Sequence, residues 1–204
     1  MKSEALLRAS ASWRLLGLLF ERPRPGWAEE VAKVAALLDA DDLREAASHA
    51  GEVDEGTYLR WFGPGGAASP REVAYRGWED PGRVLSDLAT FYDAFAFRPR
   101  AEDPHDHVAV LAGFVGYLWL KEGYAAQCGR EEEAHLTAEA RGRFAGEHLR
   151  PVAGPILRKL SASGAPAVWE LAAAALVRRV GDVPDPLPVV PPDDDAMECP
   201  GATG

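Results

Sequence analysis

The sequence is poor in the features that mark secreted or membrane-spanning chains. Its 204 residues include two cysteines, Cys128 and Cys199, which excludes a disulfide framework and favours reduced thiols. No apolar stretch reaches the roughly 18 uninterrupted residues that a transmembrane helix needs, so stable membrane insertion is not expected. Charged residues such as Arg8 and Arg14 interrupt the N-terminal region, which lacks the pattern of a secretory signal peptide. We therefore expect a cytoplasmic protein.

Basic residues are outnumbered by acidic ones. The chain has 22 lysines and arginines against 32 aspartates and glutamates, which gives a formal net charge of −10. Nonspecific nucleic-acid binding needs a basic face that displaces counterions from the phosphates. The charge balance therefore excludes nucleic acid as the expected partner and favours a neutral or basic one.

Candidate β-strands are also missing, because no run of alternating β-branched residues occurs. Apolar residues recur instead at helical spacing through most of the chain, for example at Leu111, Val115 and Leu118. No fixed-period repeat indicates a solenoid. We predict an all-α, single-domain helical bundle over residues 1–181.

The last 23 residues, 182–204, differ in composition from the rest. They are rich in proline and carry six acidic residues and no basic one. Such a segment cannot bury enough apolar surface to offset the loss of chain entropy. We predict a disordered acidic tail over residues 182–204.

The densest group of polar side chains is residues 102–107, directly before the most apolar predicted helix. One interpretation is local: Asp103 is the N-cap, Pro104 the first helical residue, and Asp106 completes a pair like a capping box. This interpretation predicts a helix from about Pro104 to Ala126. It leaves Glu102 and the two histidines of the group unexplained.

Two further interpretations of the same group are functional. In one, His105, Asp106 and His107 ligate a metal ion, as adjacent His-Asp pairs do in metal-dependent phosphohydrolases. That arrangement needs a second His-Asp element, which the sequence does not contain. In the other, the carboxylates and imidazoles recognise a peptide that carries positive charges beside an apolar stretch. The residues alone leave these alternatives open.

The pattern Glu102-x-Pro104-x-Asp106-His107 matches a known signature at every fixed position. It resembles the E-x-P-x-D-H motif of the TorD/DmsD/NarJ-like redox-enzyme maturation chaperones, the TorD family. Two further elements are similar to that family: the aromatic helix end and Gly-Pro loop of residues 58–75, and the segment FAGEHLRP of residues 144–151. The resemblance covers roughly residues 5–180. Arg71 departs from it, since the family often has an aromatic residue there.

The resemblance implies an all-helical, cytoplasmic, system-specific chaperone that performs no catalysis and holds no cofactor of its own. Its partner would be the catalytic subunit of a molybdenum-containing oxidoreductase, together with the twin-arginine signal peptide of that subunit. The chaperone would assist cofactor insertion and assembly of that subunit before export. The implied peptide-binding residues are Trp61, Phe62, Pro70, Glu102, Pro104, Asp106 and His107. The alternatives are a phosphohydrolase that uses His105, Asp106 and His107, or a helical protein-interaction subunit. Monomer and homodimer both remain possible.

Overall fold

Helices make up most of the described structure, a computed structural model that describes residues 2–99 and 103–182. The α-helices are α1 Lys2–Phe20, α2 Trp27–Ala35, α3 Asp41–Ser48, α4 Glu55–Phe62, α5 Pro81–Ala94, α6 Val108–Gln127, α7 Glu131–Phe144, α8 Arg150–Ser163 and α9 Ala167–Val180. Short 3₁₀ helices occur at Ala50–Glu52 and Glu72–Tyr75. Within these ranges no β-strand forms, which confirms the predicted all-α class.

Helix α6 packs against α1 and runs antiparallel to it. Close approach of the two backbones depends on glycine, because a Cβ at Gly17 would lie 2.9 Å from the carbonyl oxygen of Ala109. A Cβ at Gly116 would lie 3.2 Å from the carbonyl oxygen of Ser10. Helix α7 packs on α6, while α9 packs on α3 and α8. This scaffold holds the N-terminal end of α6 in a fixed place.

Helix α6 begins at Val108, four residues later than the sequence predicted. The N-cap is His107, not Asp103, since His107 Nδ1 accepts a hydrogen bond from the Ala109 N–H at 3.1 Å. Pro104 instead starts a turn that the His107 N–H closes by donating to the Pro104 carbonyl at 2.9 Å. The capping interpretation of Asp103, Pro104 and Asp106 is therefore wrong.

A π-helical turn over Ala145–Leu149 interrupts the helical run between α7 and α8. Pro151 explains the interruption, because proline has no N–H to donate to the carbonyl of Glu147 four residues earlier. The guanidinium of Arg76 donates to that carbonyl instead. The turn is thereby tied to the segment that follows the Gly-Pro loop.

Two residues beyond α9, Gly181 and Asp182, belong to the described structure. Asp182, which the sequence assigned to the tail, forms an ion pair with Arg158 at 3.0 Å. The rest of the predicted tail, residues 183–204, lies outside the described residues, as does Glu102. The division into a domain and a disordered tail stays a prediction. None of the described helices combines the length and hydropathy that crossing a bilayer requires.

Candidate functional site

Two chain segments with sequence motifs lie side by side before α6. The Val108 N–H donates to the Pro70 carbonyl at 2.8 Å, and the Glu72 N–H donates to the Asp106 carbonyl at 2.9 Å. A single antiparallel bridge joins Arg71 and His107. The backbone thus places the Ser69–Tyr75 motif directly against the Pro104–His107 motif, although the paired residues are more than thirty positions apart in sequence.

Asp106 is the buried anion of this junction. Its side chain is 0% exposed, and two guanidinium nitrogens of Arg71, Nε and Nη2, each contact the carboxylate at 2.9 Å. The Val73 N–H adds a hydrogen bond at 3.3 Å. A buried carboxylate needs a cation and hydrogen-bond donors to offset its lost hydration, and Arg71 supplies the cation here.

His107 has both ring nitrogens engaged within the protein. Because Nδ1 accepts from the Ala109 N–H, the proton of the neutral ring lies on Nε2, which donates to the Tyr58 hydroxyl oxygen at 2.9 Å. Burial lowers the pKa of His107 to about 4, with a smaller lowering from Arg71 and an opposing effect of Asp106. Burial also raises the pKa of Tyr58. The pair is therefore neutral at physiological pH.

We expect acid to destabilise the protein through His107. A folded-state pKa of about 4 lies below the ordinary value of 6.5, so the stabilisation is complete above about pH 6.5 and is lost as the pH falls to about 4. Between pH 7 and pH 4 the unfolding free energy should fall by about 2–3 kcal/mol more in wild type than in His107→Gln. Urea denaturation at several pH values measures this difference. Parallel pH profiles for the two proteins would contradict the assignment, and His105→Gln, at an exposed position, is the control.

The Gly-Pro loop folds tightly against the end of α4. A Cβ at Gly63 would lie 2.3 Å from the Leu59 carbonyl oxygen, and a Cβ at Gly66 would lie 2.4 Å from that of Trp61. Gly65 has a φ of +77°, in the left-handed region that glycine tolerates best. The glycines are therefore needed for the shape of the loop.

Aromatic side chains form the floor beneath this loop. Phe62 is 5% exposed, and its ring packs on Tyr58 at 5.0 Å and edge-to-face on Trp169 at 5.0 Å between centroids. Phe20 adds an edge contact at 6.3 Å. Helix α4 is thereby held to both α1 and α9 through rings that also face the site.

These elements surround a cavity of about 790 Å³. Of the predicted peptide-binding residues, the cavity is lined by Phe62, Pro70, Pro104 and His107. Trp61 packs half-buried against the core and does not line the cavity, and Asp106 lies behind Arg71. Glu102 belongs to the residues that the structure does not describe.

Other lining residues were not predicted from the sequence to bind a peptide. They are Glu21, Arg22, Arg24, Tyr58, Leu59, Arg71 and Asp103, together with the loop residues Gly63–Gly66 and Ser69. Helical spacing could have predicted two of them, because Tyr58 and Leu59 lie four and three residues before Phe62 and so share one face of α4 with it. The arginines at the end of α1 carry no such signal, because their place at the rim depends on tertiary packing.

The third motif, residues 144–151, braces the site from behind. His148 Nδ1 donates to the fully buried Glu72 carboxylate at 3.0 Å, and Arg76 Nε donates to the same carboxylate at 2.7 Å. Phe144 is buried and packs against the His148 ring at 4.9 Å. Glu72 lies next to Arg71, so this buried network holds the segment that forms one wall of the cavity.

The metal interpretation of His105, Asp106 and His107 finds no support in this geometry. Both nitrogens of His107 make hydrogen bonds within the protein, and the Asp106 carboxylate is bound to Arg71. His105 is exposed and stacks edge-to-face on Tyr92. In the part of the chain that the structure describes, no group of three or more histidine, cysteine or acidic side chains is arranged to hold a metal ion.

Comparison with known families decides the relationship. A model of the family described as the nitrate reductase delta subunit matches residues 23–157, about two thirds of the chain. The chain belongs to this family. The nitrate reductase delta family is of the NarJ/TorD chaperone type and acts in molybdoenzyme maturation, which confirms the resemblance seen at residues 102–107. The match spans all three motifs. No curated protein matches the chain significantly.

Proposed function

We propose that this chain binds the N-terminal segment of the catalytic subunit of a molybdenum-containing oxidoreductase, in the form of a twin-arginine signal peptide. It acts in the cytoplasm, without catalysis of its own, and assists cofactor insertion and assembly before export. The observation that carries the proposal is the cavity itself, which is lined by residues of two motifs, 58–71 and 104–107, that resemble those of peptide-binding chaperones.

The size of the cavity suits a peptide segment. Clefts of about 300–1,000 Å³ typically hold drug-sized ligands, and this one, at about 790 Å³, admits a few side chains and not a folded domain. Leu59 is 42% exposed beside the buried Phe62, so apolar surface is available at the mouth. The apolar stretch of a signal peptide matches that surface.

Apolar burial should set the affinity. Covering about 300–400 Å² of apolar surface contributes on the order of 8–10 kcal/mol, from which ordering of the peptide and lost freedom subtract several kcal/mol. Exposed ion pairs add only about 0–1 kcal/mol each, so charges would determine register and specificity.

The charges of the rim are already compensated within the protein. Arg22 pairs with Glu55, and Arg24 pairs with Glu30 at 2.5 Å. Glu21 pairs with Arg14 at 2.5 Å. The rim therefore presents little net charge to a peptide. We expect the affinity for the peptide to depend only weakly on salt concentration.

Substitution of Leu59 tests the proposal. Titrate a synthetic peptide of two adjacent arginines followed by about twelve apolar residues, by calorimetry, into wild type and Leu59→Ala. We expect binding to weaken roughly ten-fold, because about 1.4 kcal/mol of apolar contact is lost. Leu37→Ala is the matched control, since Leu37 is 81% exposed and does not line the cavity. Equal affinities for the wild type and Leu59→Ala would contradict this location, and no binding to the wild type would contradict the function.

A further inference from the structure

Arg71 stands between the cavity and the carboxylate of Asp106. The Arg71 side chain is 41% exposed and lines the cavity, whereas the Asp106 side chain is fully buried. Pro104 and His107, on either side of Asp106 in sequence, also line the cavity. Movement of the Arg71 side chain into solvent would therefore open the Asp106 carboxylate to the cavity.

We propose that Asp106 is a guanidinium-binding site which Arg71 occupies in the free protein, and that an arginine of the client peptide displaces Arg71 when it binds. This inference rests on the proposed function. Arg71 is thus a specificity-determining residue that competes with the client from within the chain. The competition is specific to this chain, because it depends on an arginine at position 71.

Charge balance favours such an exchange. Removing the cation from a buried carboxylate is strongly unfavourable, but replacing one guanidinium with another leaves the ion pair intact. The released Arg71 regains full hydration, since its side chain is already partly exposed. The exchange therefore proceeds without exposing an unpaired charge at its end point.

The contact geometry makes the site selective for arginine. Nε and Nη2 of Arg71 both contact the carboxylate, and the planar fork of a guanidinium is what allows two such contacts. A lysine ammonium presents a point charge and reproduces one contact. The site should consequently prefer a client with arginine over one with lysine.

Other arginines of the rim do not have this arrangement. Arg22 also lines the cavity, but its partner Glu55 is exposed and does not line it. Loss of Arg22 would remove one positive charge from the rim without uncovering a buried carboxylate. Arg22→Ala is therefore the matched control for Arg71→Ala.

The test compares peptide affinities of wild type, Arg71→Ala and Arg22→Ala. The peptides carry two arginines, two lysines or two citrullines, the last being neutral and of the same shape, before one apolar stretch. Arg71→Ala should bind the arginine peptide more tightly than wild type does, because the competing side chain is gone. The gain is roughly ten-fold for a competitor that occupies the site about nine tenths of the time. Arg22→Ala and the citrulline peptide should show no such gain.

A second measurement does not depend on the peptide. Millimolar N-ethylguanidinium should raise the melting temperature of Arg71→Ala above that of the same variant in N-ethylurea, since the ligand refills the site. If Arg71→Ala does not fold, Arg71→Lys replaces it, with a smaller gain expected in both measurements. Unchanged affinity for the arginine peptide, or an equal gain in Arg22→Ala or with citrulline, would overturn the displacement while leaving the proposed function in place. Failure of wild type and variants to bind any of the peptides would overturn both.

Discussion

Replacing Glu72 with alanine should lower the free energy of unfolding by about 3–5 kcal/mol, the usual cost of breaking a buried ion pair from one side. The carboxylate is fully buried and accepts hydrogen bonds from Arg76 and from His148. Without it, the mostly buried Arg76 keeps a charge with no buried counter-ion, and His148 Nδ1 loses its acceptor. Urea denaturation of both proteins measures the difference.

Glu79 offers the matched control for this prediction. It contacts the same arginine, at 3.6 Å, but its side chain is exposed. Glu79→Ala should cost about 0–1 kcal/mol, as surface ion pairs usually do. Equal losses for Glu72→Ala and Glu79→Ala would show that the buried network does not stabilise the segment behind the cavity.

The helical class follows from the sequence because periodicity is local. Leu111, Val115 and Leu118 repeat on one face of a helix, and all three are buried in the structure. The sequence misplaces the start of α6 because Asp103-Pro104 followed by Asp106 is also typical of a helix start. A turn forms at Pro104 in place of a helix because the Val108 N–H donates to the Pro70 carbonyl. This hydrogen bond joins distant parts of the chain.

The motif at residues 104–107 was found from the sequence, but the position of Asp106 was not. A carboxylate next to an exposed turn is ordinarily exposed itself, since burying a charge without a partner is costly. Its partner Arg71 lies 35 residues away, and only the bridge between the two segments brings them together. Pairing of this kind has no local periodicity that a single sequence reveals.

Helix α4 shows that neighbouring residues of one motif need not line the same surface. Trp61 and Phe62 are adjacent, so they point in directions about 100° apart around the helix. Tyr58 and Phe62, four residues apart, share the face that lines the cavity. Helical spacing applied within the motif would therefore have placed Tyr58, and not Trp61, beside Phe62 on the wall of the cavity.

Phe62→Ala should reveal that the floor of the cavity is also the core of the protein. Its ring contacts Tyr58, Trp169 and Phe20, and truncation of a buried phenylalanine costs about 3–5 kcal/mol. For a chain of this size that corresponds to a fall of roughly 6–20 °C in melting temperature. Leu59→Ala, three residues earlier on the exposed edge of the helix, should change the melting temperature by about 2 °C or less and should weaken the binding of the peptide. Differential scanning calorimetry of the two variants measures both values. A small effect of Phe62→Ala on the melting temperature would show that its ring does not stabilise the core. The aromatic floor would then contribute to peptide binding only.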